Sequence, residues 1–546
     1  MKLSLGLGVM LTAILFVGCQ SEQVQQTSEV SAEASRIKAH LRFLSDDLLE
    51  GRDTGARGHE IASLYIAAEF EKYGLTPAGD DGTYMQRVKF VQANIDQSSI
   101  KLSLTGSQGD TTLKYPKQFL TYPNPLEETT QMVGKLVFVG YGIVAPELQH
   151  NDYQNIDVKG KVVVVLSGKP KSFPSEEGAH FGSSHEKRRH ASENGAVGFI
   201  TISTPTGEKV RPYQNLLNYL HTPVVRWLDK DGNASGVFPQ IKGTAYFSKE
   251  AAELVFADAQ QNLEQIYAML EKDESPKGFD LPLEIELEST SSHKSISSPN
   301  VASILEGSDP SLKNEYVVYS AHSDHIGFAR TVKKNKINNG AMDNASGTSV
   351  MLETARLFSQ LDERPKRSIL FVAVTGEEKG LLGSDYYAQN PTVPMGSMIA
   401  NVNLDMPILL YEFADVIAFG ADHSDMKNSV AKAAQKIGLE LSPDPMPDQA
   451  LFTRSDHYSF VKQGIPSVFL VPGFKSADPE IDGSKQFSDF LKTNYHKPGD
   501  DFSQAFNWQA ATKFTEVNYH IGLTLANQAQ RPSWNKGDFF GDNFSK

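Results

Sequence analysis

The chain has 546 residues, 40% of them hydrophobic and 22% charged, with a formal net charge of −14 at pH 7. That length exceeds one ordinary core, so two or more domains are expected. The acidic balance argues against nucleic acid and against an anionic membrane surface as partners.

The N-terminus differs from the rest. Lys2 precedes the apolar run "LSLGLGVMLTAILFV", which leads to Gly18 and to Cys19, the one cysteine of the chain. The run is too short for a comfortable membrane span and has the charged and apolar regions of a signal peptide. It resembles a bacterial lipobox, with Phe16 where leucine is usual. The expectation is a signal peptide over 1–18, lipidation of Cys19 and a flexible polar tether over 19–35. An acylated Cys19 leaves no thiol for a disulfide, a nucleophile or a cysteine zinc site. Gln20 after the cysteine points to an outer membrane, facing the periplasm, if the source is Gram-negative.

From Arg36 the apolar spacing is helical, in "RIKAHLRFLSDDL" and "GHEIASLYIAAEFEKYGL". Short alternating runs from about Val88 to Tyr122 suggest strands. Between 125 and 285, β-runs such as "GKLVFVGYGI", "DVKGKVVVVLSG" and "NGAVGFITIS" are separated by turn residues. That stretch reads as an inserted, β-rich domain between a first part of the main domain, 36–124, and a second part, 286–546.

After Ser298 strand, loop and helix alternate. "EYVVYSA", "SILFVAV", "MIANVNL" and "IPSVFLV" read as strands; "ASGTSVMLETARLFSQ", "DMKNSVAKAAQKIGL" and "WQAATKFTEVNYHIGLTLANQ" read as helices. This rhythm gives an α/β fold, a mostly parallel sheet with helices on both faces. Ligands in such folds sit outside the carboxyl ends of the strands.

Those ends carry the chemistry. His322 and Asp324 follow the first strand, Asp343 stands before the first helix, and Glu377 and Glu378 follow "SILFVAV". Asp405 follows "MIANVNL", and His496 lies in "TNYHKPGDD". Imidazoles and carboxylates without thiols suit zinc, with cobalt or manganese as alternatives. Two ions with one bridging carboxylate account for the set: His322 and Asp405 on one, Glu378 and His496 on the other, Asp343 between. Glu377 is left over beside the pair, and Asp324 is placed to orient the His322 ring.

The stretches "AHSDHIG", "NNGAMDNASG", "TGEEKGLLGS", "NLDM" and "YHKPGD", in this order, resemble the M28 family of co-catalytic zinc aminopeptidases. "FLSDDLLEGRDTGARGHEIASLYIAAEFEKYGL" is similar to the family's N-terminal helical region, and "GYGIVAPELQHNDYQNIDVKGKVVVVL" to a protease-associated (PA) domain. The resemblance implies a three-layer α/β/α peptidase domain with an inserted PA domain, two zinc ions, peptide substrates, and Glu377 as general base. Relatives often carry a tyrosine a few residues before "SDH"; here that place is Phe452. Arg454 and Tyr458 are the candidates for the vacant role in the substrate pocket.

Two other classes fit less well. A carboxypeptidase or dipeptidase for acidic peptides shares the metal core and needs a cation for the substrate carboxylate, for which Arg454 is the candidate. A non-catalytic, receptor-like protein is expected to have lost metal ligands, and all five are present. "HEKRRH" is not an HExxH site: His185 and His190 are five residues apart, about 140° on a helix. Oligomeric state is not legible.

Overall fold

The computed structural model describes Met1 and residues 30–545 except 108 and 331. The expected signal peptide, Cys19 and most of the expected tether lie outside these residues. No described helix is long and apolar enough to cross a membrane.

Chain order begins with two helices, Ala34–Leu44 and Arg57–Lys72. The second buries His59, Ala62, Ser63, Ile66, Ala67 and Phe70, three or four residues apart, as one stripe must when a helix lies on a sheet. Where short strands were expected between 88 and 122, one long strand runs over Met85–Gly106 and two short ones follow, Gly109–Thr112 and Phe119–Thr121. The long strand pairs antiparallel with an equally unusual strand, Phe279–Leu305, from Met85↔Val301 to Gly106↔Leu283. Cross-strand pairing on both sides of one register shift, between Glu288 and Thr290, lets both outrun the usual strand length of about 5–6 residues.

These two strands tie two cores together. One core gathers Phe70, Tyr319, Phe358, Phe371, Val402 and Phe514. The other gathers Leu102, Phe119, Phe138, Val164, Ile200 and Phe247, so it draws on residues upstream of 125. Around the second core the strands Thr129–Phe138, Val162–Leu166, Gly198–Ile202 and Gly243–Phe247 lie side by side in parallel.

Around the first core the central strands are Ser467–Pro472, Met398–Asn403, Tyr316–His322 and Ser368–Val374, in that spatial order and parallel. Asp415–Phe419 is antiparallel on one side and Phe279–Leu305 on the other. Ser368–Val374 is buried at every position, which explains its unbroken apolar sequence: helices cover both faces. The helices Gly347–Ser359, Met426–Lys436 and Trp508–Asn527 match the sequence reading closely. The helix Gly483–Thr493 was not anticipated.

Register fixes the site. His322 is paired with Val374 and Ser320 with Asn403. The loops carrying His322, Glu377, Glu378 and Asp405 therefore leave the sheet at one level.

Candidate metal centre

Asp343 is the hub. Its Oδ1 lies 3.3 Å from His322 Nε2 and its Oδ2 lies 3.2 Å from His496 Nε2. His322 Nε2 is also 3.1 Å from Asp405 Oδ1, and His496 Nε2 is 3.0 Å from Glu378 Oε2. Ligand atoms about 2.0–2.1 Å from a tetrahedral zinc are about 3.3 Å apart, so these spacings are those of a ligand set. His322, Asp343 and Asp405 converge as one group, and His325, Asp343 and Glu378 as another.

Burial opposes a charge on His322, but Asp405, Glu377 and Asp343 overcome it and raise its proton affinity well above the ordinary value. The Nδ1 of His322 faces the Asp324 backbone carbonyl at 3.2 Å, a partner that can only accept, so Nδ1 carries the hydrogen. With a neutral ring the Nε2 lone pair would meet two carboxylates, which are acceptors as well, so a cation, proton or metal, belongs between them. His496 Nε2 and Glu378 Oε1 are buried, with Glu378 Oε2 at 3.0 Å and His325 Nδ1 at 2.6 Å as their respective close polar neighbours. Three acceptors converging in a dry site call for a cation, and His, Asp and Glu are donors that zinc takes.

The neighbouring glutamates are driven in opposite directions. Burial, reinforced by Asp405, Glu378 and Asp456 against His322, raises Glu377 well above the usual carboxylate range. Burial also opposes ionisation of Glu378, but His496 and His325 overcome it and hold that group well below the range.

Local structure places each group. Gly340, at φ 59°, turns the chain into the Asp343 loop; a Cβ there would stand 2.1 Å from the Asp343 carbonyl oxygen. Gly376, at φ 68°, makes the turn that presents Glu377 and Glu378. His496 itself adopts φ 56°, uncommon for a residue with a side chain and typical of functional sites.

The supporting residues differ in part from those expected. The Asp324 carboxylate is 3.9 Å from His322 Nδ1; it is the backbone carbonyl of Asp324 that meets the ring. The carboxylate instead accepts from Thr54 Oγ1 at 2.9 Å and from the Glu377 backbone N–H at 3.2 Å, so it positions the glutamate turn. Tyr458 is not in the pocket: its hydroxyl is bonded to His180, and its ring packs among Phe452, Phe469 and Phe540. Arg454 does line a cavity, of about 580 Å³, between the two cores. Asp456 and His457 are fully buried.

Several residues were not singled out in advance. His325 Nδ1 lies 2.6 Å from Glu378 Oε1. Asp500 accepts from the backbone N–H groups of Met342 at 2.8 Å and Asp343 at 3.0 Å, steadying the hub. Buried Arg52 donates from Nε to the Ser323 carbonyl and from Nη2 to the Gly340 carbonyl, each at 3.0 Å, clamping the His322 loop to the Asp343 loop. Ser455 donates to Asp405 Oδ2.

Residues 300–521 match the family model for peptidase family M28. This segment belongs to peptidase family M28. It contains all five metal-ligand candidates as well as Glu377. Aminopeptidase YwaD of Bacillus subtilis (strain 168) is 32% identical over 197 residues, 35% of this chain and 37% of that protein. The probable leucine aminopeptidase 2 of Aspergillus oryzae is 26% identical over 241 residues, 41% of this chain and 45% of that protein. The chain thus spans less than half the length of these curated relatives. In fold it is similar to an aminopeptidase from Aneurinibacillus sp. strain AM-1, with TM-score 0.53, 18% identity, and coverage of 92% of this chain and 96% of that one.

Proposed function

We propose that the chain is a zinc-dependent aminopeptidase that releases N-terminal residues from peptides, with Glu377 as general base. The observation that carries this reading is the split of one carboxylate, Asp343 Oδ1 toward His322 and Oδ2 toward His496. A carboxylate so divided suits a bridge between two ions. His322 and Asp405 would hold one and Glu378 and His496 the other, with His325 close enough to Glu378 to fix its orientation.

Bound zinc supplies an acidified water and a Lewis acid for the scissile carbonyl. The rest is done by the chain. Glu377, whose Oε2 lies 3.9 Å from His322 Nε2, accepts the proton of the attacking water and delivers it to the leaving amine. Asp324 holds the Glu377 backbone so that the carboxylate keeps one position. The acidic groups around the site favour a substrate's free α-amine over a second carboxylate at the same place.

This reading also keeps the expectation of an acylated Cys19 and a lipid-anchored protein of the bacterial envelope. Mass spectrometry of the mature N-terminus tests that part, and an unmodified Cys19 refutes it. The activity is tested with the zinc-loaded mature protein on apolar aminoacyl-nitroanilides. Turnover abolished by chelators and by N-acetylation of the substrate is the expected result; efficient C-terminal trimming of N-acetylated peptides would replace it with a carboxypeptidase.

A further inference from the structure

In a chain of net charge −14, positive charge without an ion-pair partner collects between the two cores. The place is a cavity of about 390 Å³, with Glu378 and Lys379 on one wall and Arg188, Arg226 and Lys242 among the other lining residues. Glu378, already engaged by His496, is the single carboxylate of that lining. Lys379 is engaged by Asp53 at 2.7 Å. Arg188 and Arg226 are not: among the described residues neither has a carboxylate within ion-pair distance. Arg226 Nη1 donates to the Val225 carbonyl at 2.7 Å, while its Nε is buried with no partner at all.

Two half-buried guanidinium groups side by side without a counter-ion are costly, and proteins pair such charges unless a ligand does so. The cost is visible in Arg226, brought down to about 10 by burial and by the charge of Arg188, which Asp385 offsets only in part. A second pair repeats the pattern in the adjoining cavity, which shares Tyr122 and Tyr246 with the first. There Arg211 is lowered to about 10 by Arg454 and by burial. Arg188, Arg211 and Arg226 lie outside the M28 segment, so the ligands for metal and these charges come from different parts of the chain.

We propose that the cleft between the two cores is a carboxylate-binding subsite, in which Arg188 and Arg226 take an anionic group of a peptide whose first residue is held at the metal centre. A guanidinium presents a planar fork of donors that matches a carboxylate in two parallel hydrogen bonds. The carboxylate can be an acidic side chain or the C-terminus of a short peptide; both have the same chemistry. The inference rests on the aminopeptidase reading for the position of the first residue, and it makes the preferred substrates short or acidic peptides.

The test uses two peptide pairs with the zinc-loaded mature protein: Leu-Gly-Glu amide against Leu-Gly-Gln amide, and Leu-Gly-Gly against its amide. At low ionic strength at least one carboxylate is expected to raise kcat/KM by tenfold or more, and the pair that responds identifies the source. Arg226→Gln and Arg188→Gln should each cut that ratio to about twofold, while Arg226→Lys, which keeps the charge, should retain most of it. Calorimetric binding of the same peptides with the first amide N-methylated reads recognition without cleavage and should show the same preference. A ratio near one in the parent protein, or a preference that survives both glutamine variants, overturns the subsite. Carboxylate-selective binding without cleavage of any peptide would instead overturn the aminopeptidase reading and leave the subsite standing.

Discussion

The Tyr219 hydroxyl lies 3.4 Å from Nδ1 of His496, on the ring whose other nitrogen faces Asp343 and Glu378. Tyr219 comes from the long segment between the two halves of the first core, outside the M28 match. Tyr495 stacks on the same imidazole with ring centroids 3.9 Å apart. The ring is thus oriented by one residue of each part of the chain, as metal-binding histidines are when their second nitrogen is occupied.

Removing that hydroxyl should be felt by one ion only. Tyr219→Phe keeps the ring and deletes the contact. Because the contact is long and its donor exposed, zinc affinity at the His496 position should fall by about tenfold or less. Competition with a chromophoric chelator should resolve one weakened and one unaffected step. Equal weakening of both, or of neither, would show that Tyr219 does not support His496.

The paired glutamates should separate chemistry from binding. Glu377→Gln leaves the ligand set intact and removes the proton carrier, so zinc content should stay near the parent value while turnover drops by about 10²–10⁴-fold. Glu378→Gln should lose zinc itself. Metal analysis after gel filtration, alongside initial rates, distinguishes the two. Equal zinc loss in both variants would mean that Glu377 is a ligand.

The metal-centre candidates and the parallel sheet were legible because strand ends are easy to find: "SILFVAV" is an unbroken apolar run that stops two residues before the glutamates. What surrounds them was less so. His325 belongs to "AHSDHIG", but spacing alone did not distinguish it from a loop histidine. Arg52 and Asp500 sit in polar stretches, and only the folded chain shows them buried against backbone groups. Tyr458 failed for the opposite reason. It is near "SDH" in sequence, yet the helix His457–Val461 turns it toward His180. The arginines of the cleft come from the helix Ser184–Glu193 and the strand Val224–Trp227, which are separate in sequence and meet only in space.

Arg52→Met tests whether the clamp between the His322 and Asp343 loops is structural. Methionine approximates the volume but strands the Ser323 and Gly340 carbonyls, along with that of Asn339, 2.6 Å from Nη1. Unsatisfied buried acceptors cost about 1–3 kcal/mol each, so a loss of roughly 3 kcal/mol or more is expected. Denaturant unfolding should show a lower midpoint, and added zinc should recover part of the loss because only the folded site binds it. A midpoint within error of the parent would place the burden on other contacts.

The last prediction concerns how the two cores are held together at alkaline pH. His423 is bracketed by Glu176 at Nε2 and Asp538 at Nδ1, both at 2.5 Å. Glu176 lies in the helix Ser175–Gly182 near the second core, so this triad crosses between the two parts. Burial opposes a charge on His423, but the bonds to Asp538 and Glu176 raise it to about 10 from an ordinary 6.5. The folded state therefore holds the proton more tightly than the unfolded chain. The stabilisation is fully present below about pH 6.5, declines as pH rises, and is gone above about 10. By linkage it is on the order of 3–5 kcal/mol at most. Removing the charge with His423→Gln should lower the unfolding midpoint markedly at pH 6 and hardly at all at pH 10. Denaturant unfolding of both proteins across that range gives the difference directly. A difference that is constant with pH would mean that His423 contributes packing rather than charge.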